Sequence, residues 1–161
     1  MATFEMRGLS DYMLALGKLE DAYETDAVCK AVLDAGASVL LDAVRSELNA
    51  VPSQNGVKRN EVRRGITDAE RKDLSTSLGA SPVRSRNGIY DVKIGFAGYG
   101  KKSKSYPNGL PNQLLARAVN SGTSFRAKTG FLDRAQKKAK KKVLSEMEAE
   151  LEKQIKNRIK K

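Results

Sequence analysis

The residues best spaced for chemistry lie in "NSGTSFRAKTG", Asn120 to Gly130. Gly122, Lys128 and Thr129 fall where a phosphate-binding P-loop places its first glycine, its lysine and its hydroxyl residue. Such a loop would hold nucleotide phosphates by backbone N–H groups, with the lysine on the terminal phosphates. The pattern lacks one element, because Ala127 stands where the glycine before the lysine belongs. Glycine there lets the backbone curl around phosphate.

The elements around the segment weigh against a nucleotide site. A P-loop leaves a buried strand and enters a helix. The preceding "QLLARAV" has helical spacing instead, and Gly130 interrupts the helix start that should follow Thr129. No later apolar strand ends in an aspartate for magnesium. The structural reading is a connector between two helices. Gly122 stops the first as a C-terminal glycine, Thr129 caps the second, and Arg126 and Lys128 project between them.

Other catalytic constellations find little material. The chain has no histidine, which excludes histidine triads and histidine metal ligands. Its one cysteine, Cys29, excludes an intrachain disulfide and sits in an apolar helical pattern as a small buried hydrophobe. Asp91 shares an exposed strand face with Lys93, but local spacing sets no second carboxylate beside it for acid–base work. No catalytic residue, cofactor or metal site is expected.

The 161 residues suit one domain with a modest core. Charge is divided along the chain. Residues 1–50 carry 4 Lys/Arg against 9 Asp/Glu, and residues 51–161 carry 26 against 10. This split suits either a negatively charged partner or head-to-tail association of copies. No apolar run reaches the length of a membrane span, and Met1–Asp11 has no signal-peptide core. The expectation is a soluble protein made in the cytoplasm, with no membrane partner.

Periodicity predicts an α+β fold: N-terminal helices, a small antiparallel β-sheet built on a hairpin, and a long C-terminal helix. Within the single domain 1–161 the parts are 1–56, helical; 57–98, a helix and a β-hairpin; 99–111, a flexible basic loop; and 112–161, a short helix and the long one. Ser10 caps a first helix carrying Leu9, Met13, Leu16 and Leu19. Thr25-Asp26 marks a break or a fresh cap, and a second helix runs from there to about Ala50 on Val28, Val32, Ala35, Val39, Val44 and Leu48. Ala31, Ala35, Gly36 and Ser38 leave one side slim enough for a close neighbour.

Thr67 and Glu70 form a capping box for a shorter helix that Gly79 closes. Asn87-Gly88 signals a type I′ hairpin, followed by one half-buried strand with Tyr90, Val92, Ile94 and Phe96 inward. The last helix, from about Phe131, is roughly 45 Å long at 1.5 Å per residue. It is dense in lysine (Lys137, Lys138, Lys140, Lys141, Lys142) and later in glutamate. The lysine run is either a solvated face or a contact for phosphate or an acidic surface. Without aromatic interleaving, any DNA contact there would be non-specific and steep in salt.

The order of these parts resembles the neck, head–tail joining or tail-completion proteins of long-tailed bacteriophages. The marker is Gly122-Thr123-Ser124 followed by an aromatic-Leu-x-x-Ala helix start at Phe131, Leu132 and Ala135. The chain departs from that pattern. Asn120-Ser121 replaces the usual acidic residue, and Thr129-Gly130 replaces the frequent proline. The resemblance implies a structural, non-enzymatic virion protein, present in the host cytoplasm during assembly. Its copies would form a ring of six or twelve between the head connector and the tail tube. Partners would be further copies and the adjoining connector and tail-tube proteins, with possible non-specific DNA contact in the channel. Candidate contact residues are Lys101, Lys102, Lys104, Tyr106, Gly122, Thr123, Ser124, Arg126, Lys128, Lys137 and Lys141. A basic non-specific nucleic-acid-binding protein is the alternative.

Overall fold

A computed structural model describes residues 22–56, 61–102 and 104–159. The expected first helix at Ser10 therefore lies outside the described residues, as do residues 57–60. The described chain is α+β, and its most extensive packing joins two long helices, α1 (Ala22–Asn49) and α4 (Phe131–Ile159).

Each long helix buries a row with a strict four-residue step. In α1 the row is Val28, Val32, Gly36, Leu40, Val44 and Leu48. In α4 it is Phe131, Ala135, Ala139, Val143, Met147 and Leu151. Rows of this step are the ridges that interdigitate when helices pack closely. The pair is antiparallel, because Gly36 faces Val143 and Met147 while Glu47 meets Arg134 and Lys138 further back along α4. Ala35 and Val39, expected on this face, are only half-buried.

The slim side of α1 is used at Gly36. A Cβ there would stand 2.7 Å from the Met147 sulfur. Gly36→Leu is expected to destabilise the chain by about 1–3 kcal/mol through overpacking. In Gly36→Leu/Met147→Ala the leucine fills space that the methionine leaves, so part of that loss should be recovered. Chemical denaturation of both variants checks this.

Thr25-Asp26 does not break α1. Asp26 pairs along the helix with Lys30, so its carboxylate serves the helix side rather than a cap. The C-terminal end of α1 is held from a distance. Arg71 donates to the carbonyls of Leu48 at 2.6 Å, Asn49 at 3.0 Å and Val51, putting a cation where the helix dipole is negative.

A second row on α1, Cys29, Leu33 and Ala37, is also buried. Partly buried Val83, Tyr90, Val92 and Ile94 also pack against the core. Burial pushes the Cys29 thiol up, as expected of a cysteine serving as a hydrophobe.

The capping box holds as read from the sequence: Glu70 N–H donates to Thr67 Oγ1 at 3.1 Å, and Thr67 N–H to Glu70 Oε2 at 2.9 Å. It opens α2 (Asp68–Ser77). Gly79 does not close that helix. Leu78 turns extended at its end, and Gly79 lies in strand β1 (Leu78–Ala80).

Strand β1 pairs antiparallel with β4 (Ile94–Phe96), and β2 (Arg84–Arg86) with β3 (Ile89–Asp91). Asn87 and Gly88 take φ of 53° and 77°, as the I′ turn requires. The single strand expected through Phe96 is split at Val92–Lys93. Three residues, 81–83, face two, 92–93, so the partner strand carries a bulge at Pro82, which has no N–H to pair. Ser81 bridges the gap: its N–H donates to Lys93 O at 2.7 Å, and its hydroxyl accepts from Lys93 N–H at 3.0 Å. The inward alternation survives, because the extra residue is on the other strand. Phe96 is buried and meets Phe131 edge-on, with ring centroids 6.3 Å apart.

The loop after β4 is tied at its base. Gly100 N–H donates to Leu110 O at 2.8 Å and Asn112 N–H to Gly98 O at 3.1 Å. Asn112, buried at the start of α3 (Asn112–Ser121), adds a side-chain bond to Ala97 O at 2.9 Å. Lys101, Lys102, Lys104 and Tyr106 are all exposed on this closed loop.

Candidate interaction site

The segment after α3 is built around Gly122. Its φ of 80° and ψ of 172° belong to a region that only glycine occupies freely. A Cβ there would lie 2.9 Å from Lys128 N and 3.0 Å from Arg126 O. The chain then makes a tight turn: Thr123 N–H donates to Arg126 O at 2.8 Å, and Arg126 N–H returns to Thr123 O at 3.2 Å. Ser124 and Phe125 form its tip.

A second strand-like contact fixes the turn from outside. Arg63 N–H donates to Phe125 O at 3.0 Å, and Ala127 N–H to Arg63 O at 2.7 Å, which makes Arg63 and Arg126 parallel bridge partners. Arg126 turns inward and Arg63, half-exposed, reaches toward the same side, while Val62 and Phe125 face solvent.

Arg126 does not project, contrary to the sequence expectation; it is buried with 6% exposure. Its guanidinium donates to Gly65 O at 2.9 Å and to Glu70 Oε1 at 2.6 Å. Arg63 approaches the same carboxylate oxygen at 3.5 Å. Glu70 thus joins three jobs: capping α2, neutralising Arg126, and through it holding the turn. A buried cation requires such a partner.

Thr129 does not cap α4. Its hydroxyl donates to Val119 O at 2.8 Å, because the α3 carbonyl lies within reach. The cap comes from Asn120, whose Oδ1 accepts from Leu132 N–H at 2.9 Å. Gly130, at φ 62°, lets the chain enter the helix, and its N–H donates to Asn120 O at 2.9 Å. The N–H groups of residues 123, 126, 127, 129, 130 and 132 therefore all donate to groups of the protein. Six N–H groups that a phosphate cradle could draw on are thus already committed within the protein.

The expected contact residues fall into three places. Thr123, Ser124 and Lys128 are exposed at the turn, with Lys128 3.6 Å from Asp133. The Lys101–Tyr106 loop lies at the other end of α3, about 15 Å away for ten residues. Lys137 and Lys141 are exposed along α4. Sequence reasoning missed Phe125, 69% exposed, and Val62, 49% exposed. Neither residue carried a role in the sequence reading, and their exposure emerges only where the chain pairs at Arg63 and Arg126.

Comparison with known protein families, curated proteins and solved structures returns no match. The function must be argued from the chain's own residues. Among the described residues, no helix is long and apolar enough to cross a membrane, and no three His, Cys, Asp or Glu side chains gather where they could hold a metal.

One lysine of the α4 run has a structural role. Glu47, 5% exposed, accepts from Lys138 and from Arg134 Nε at 2.7 Å, closing one edge of the α1–α4 interface. Lys138, and next Arg134, hold the Glu47 carboxyl below its ordinary range. A lowered folded pKa stabilises above the unfolded value of about 4.3 and is lost as pH falls through the folded value. Glu47→Gln should therefore flatten the fall in melting temperature below about pH 4, measured against wild type from neutral pH downward.

Proposed function

We propose that the chain is a structural protein of a long-tailed phage neck, working in head–tail joining or tail completion. It acts as a ring of copies between the head connector and the tail tube. The observation that carries this reading is the Gly122–Ala135 segment. Its marker residues serve to fix a turn and start a helix, and the turn presents the Phe125 ring outward, near exposed Val62, on a frame held by buried charge. Rigid, outward-facing apolar residues suit contacts between proteins. The division of charge between residues 1–50 and 51–161 suits repeated contacts of one kind, which close into a ring when the rotation allows.

Mass spectrometry of purified tailed particles tests this. The chain should be present at six or twelve copies for each particle. Its absence from mature particles would contradict the neck role. A second reading, non-specific nucleic-acid binding, draws on the exposed Lys137, Lys140, Lys141 and Lys142 of α4. It requires DNA affinity that falls steeply with salt.

A further inference from the structure

We infer that Asn87 is a site of spontaneous covalent modification, converting to aspartate and isoaspartate through a cyclic imide formed with Gly88. The inference stands apart from the neck reading. Asparagine precedes glycine at Asn55-Gly56, Asn87-Gly88 and Asn108-Gly109. In such a pair the deprotonated backbone nitrogen of the glycine attacks Cγ of the asparagine side chain. A C–N bond forms, the Cγ–Nδ2 bond breaks, and ammonia leaves. Water then opens the imide at either carbonyl. The product is aspartate, or isoaspartate with one more carbon in the main chain. Nothing is oxidised or reduced, and water is the co-reactant. Glycine favours the step because no side chain obstructs its nitrogen.

Exposure does not rank the three sites, because Asn55, Asn87 and Asn108 are all exposed. Hydrogen bonding does. At Asn55 the electrophile is held: Nδ2 donates to Asp68 Oδ2 at 2.5 Å, and Oδ1 accepts from Asp68 N–H at 3.1 Å. At Asn108 the nucleophile is held: Gly109 N–H donates to Tyr106 O at 2.9 Å. Gly109 is also buried, and a Cβ there would lie 2.3 Å from Gly100 O, so its backbone has little room to move. At the hairpin tip neither group is engaged. Among the described residues the Asn87 side chain makes no hydrogen bond and the Gly88 N–H finds no acceptor. The ribbon's pairing ends at Arg86 and Ile89, so the tip is held only at its outer ends. Nothing lies within 4 Å of the Cβ position of Gly88. Its nitrogen can therefore swing towards Asn87 Cγ without breaking a bond or meeting a neighbour. The change places a carboxylate beside exposed Arg86. Isoaspartate also lengthens a two-residue turn whose geometry matches the strand twist.

The test is peptide mapping by mass spectrometry of the folded full chain, sampled over days at mildly alkaline pH. Fragment masses locate each amide that has become an acid. Asn87 should convert first, in both the aspartate and the isoaspartate form. Asn55 and Asn108 should lag it by about tenfold or more, because their hydrogen bonds must open before the ring can close. In denaturant the three sites share one dipeptide and no fold, so their rates should come together. Two results overturn the proposal. One is an Asn87 that converts no faster than Asn55 or Asn108 in the folded chain. The other is the same ranking persisting in denaturant, which would assign it to flanking sequence rather than to the hairpin tip.

Discussion

Arg126→Ala is expected to lower the unfolding free energy by about 3 kcal/mol, near the lower end of what breaking a buried ion pair costs. The reason for the lower end is visible at Glu70. Its side chain is 19% exposed and keeps the Thr67 N–H and Arg63 after the loss. For a chain of this size the melting temperature should fall by about 6–12 °C. Arg126→Lys should recover little, because one ammonium cannot reproduce the forked reach to Gly65 O and Glu70. A double-mutant cycle with Glu70→Gln should show strong coupling between the two sites. Near-additive losses would show that the pair does not hold the turn.

Gly122→Ala should be damaging for a different reason. The residue sits at φ 80° and ψ 172°, which costs a non-glycine residue about 1–3 kcal/mol. The added Cβ would also press on backbone atoms of Arg126 and Lys128, which cannot swing aside as Met147 can opposite Gly36. The two costs together should exceed the strain alone. Gly79→Ala provides the control. Nothing lies within 4 Å of its Cβ position and its φ is not positive, so stability should change by less than about 0.5 kcal/mol. Denaturant titration of both variants checks the contrast.

Local signals were the legible ones. The capping box at Thr67 and Glu70, the turn at Asn87-Gly88 and the helix stop at Gly122 each complete their bonding within a few residues. The α+β class followed from them and from the two periodicities. The inward alternation of Tyr90, Val92, Ile94 and Phe96 was also visible, but not the interruption of the ladder, because the bulge belongs to Pro82 on the opposite strand. Thr25-Asp26 read as a break or a fresh cap, whereas Asp26 pairs with Lys30 inside one continuous helix.

The candidate site was less legible. Arg126 finds its partners 61 and 56 residues away, at Gly65 and Glu70. No spacing rule joins them, so the arginine read as a projecting charge. Asn120 took the cap expected of Thr129 because the end of α3 folds back over the start of α4. Phe125 was present in the motif throughout, yet its outward direction is set by pairing with Arg63. "NSGTSFRAKTG" is thus a clasp rather than a phosphate cradle: glycine for the bend, arginine for the anchor, asparagine for the cap, and phenylalanine at the exposed tip.

The most direct measurement is negative-stain imaging of particles assembled from the genome that encodes this chain, with and without its gene. A neck role predicts filled heads and free tails without the chain, and rejoined infectious particles when wild type is supplied in trans. Normal tailed, infectious particles made without it would contradict that role.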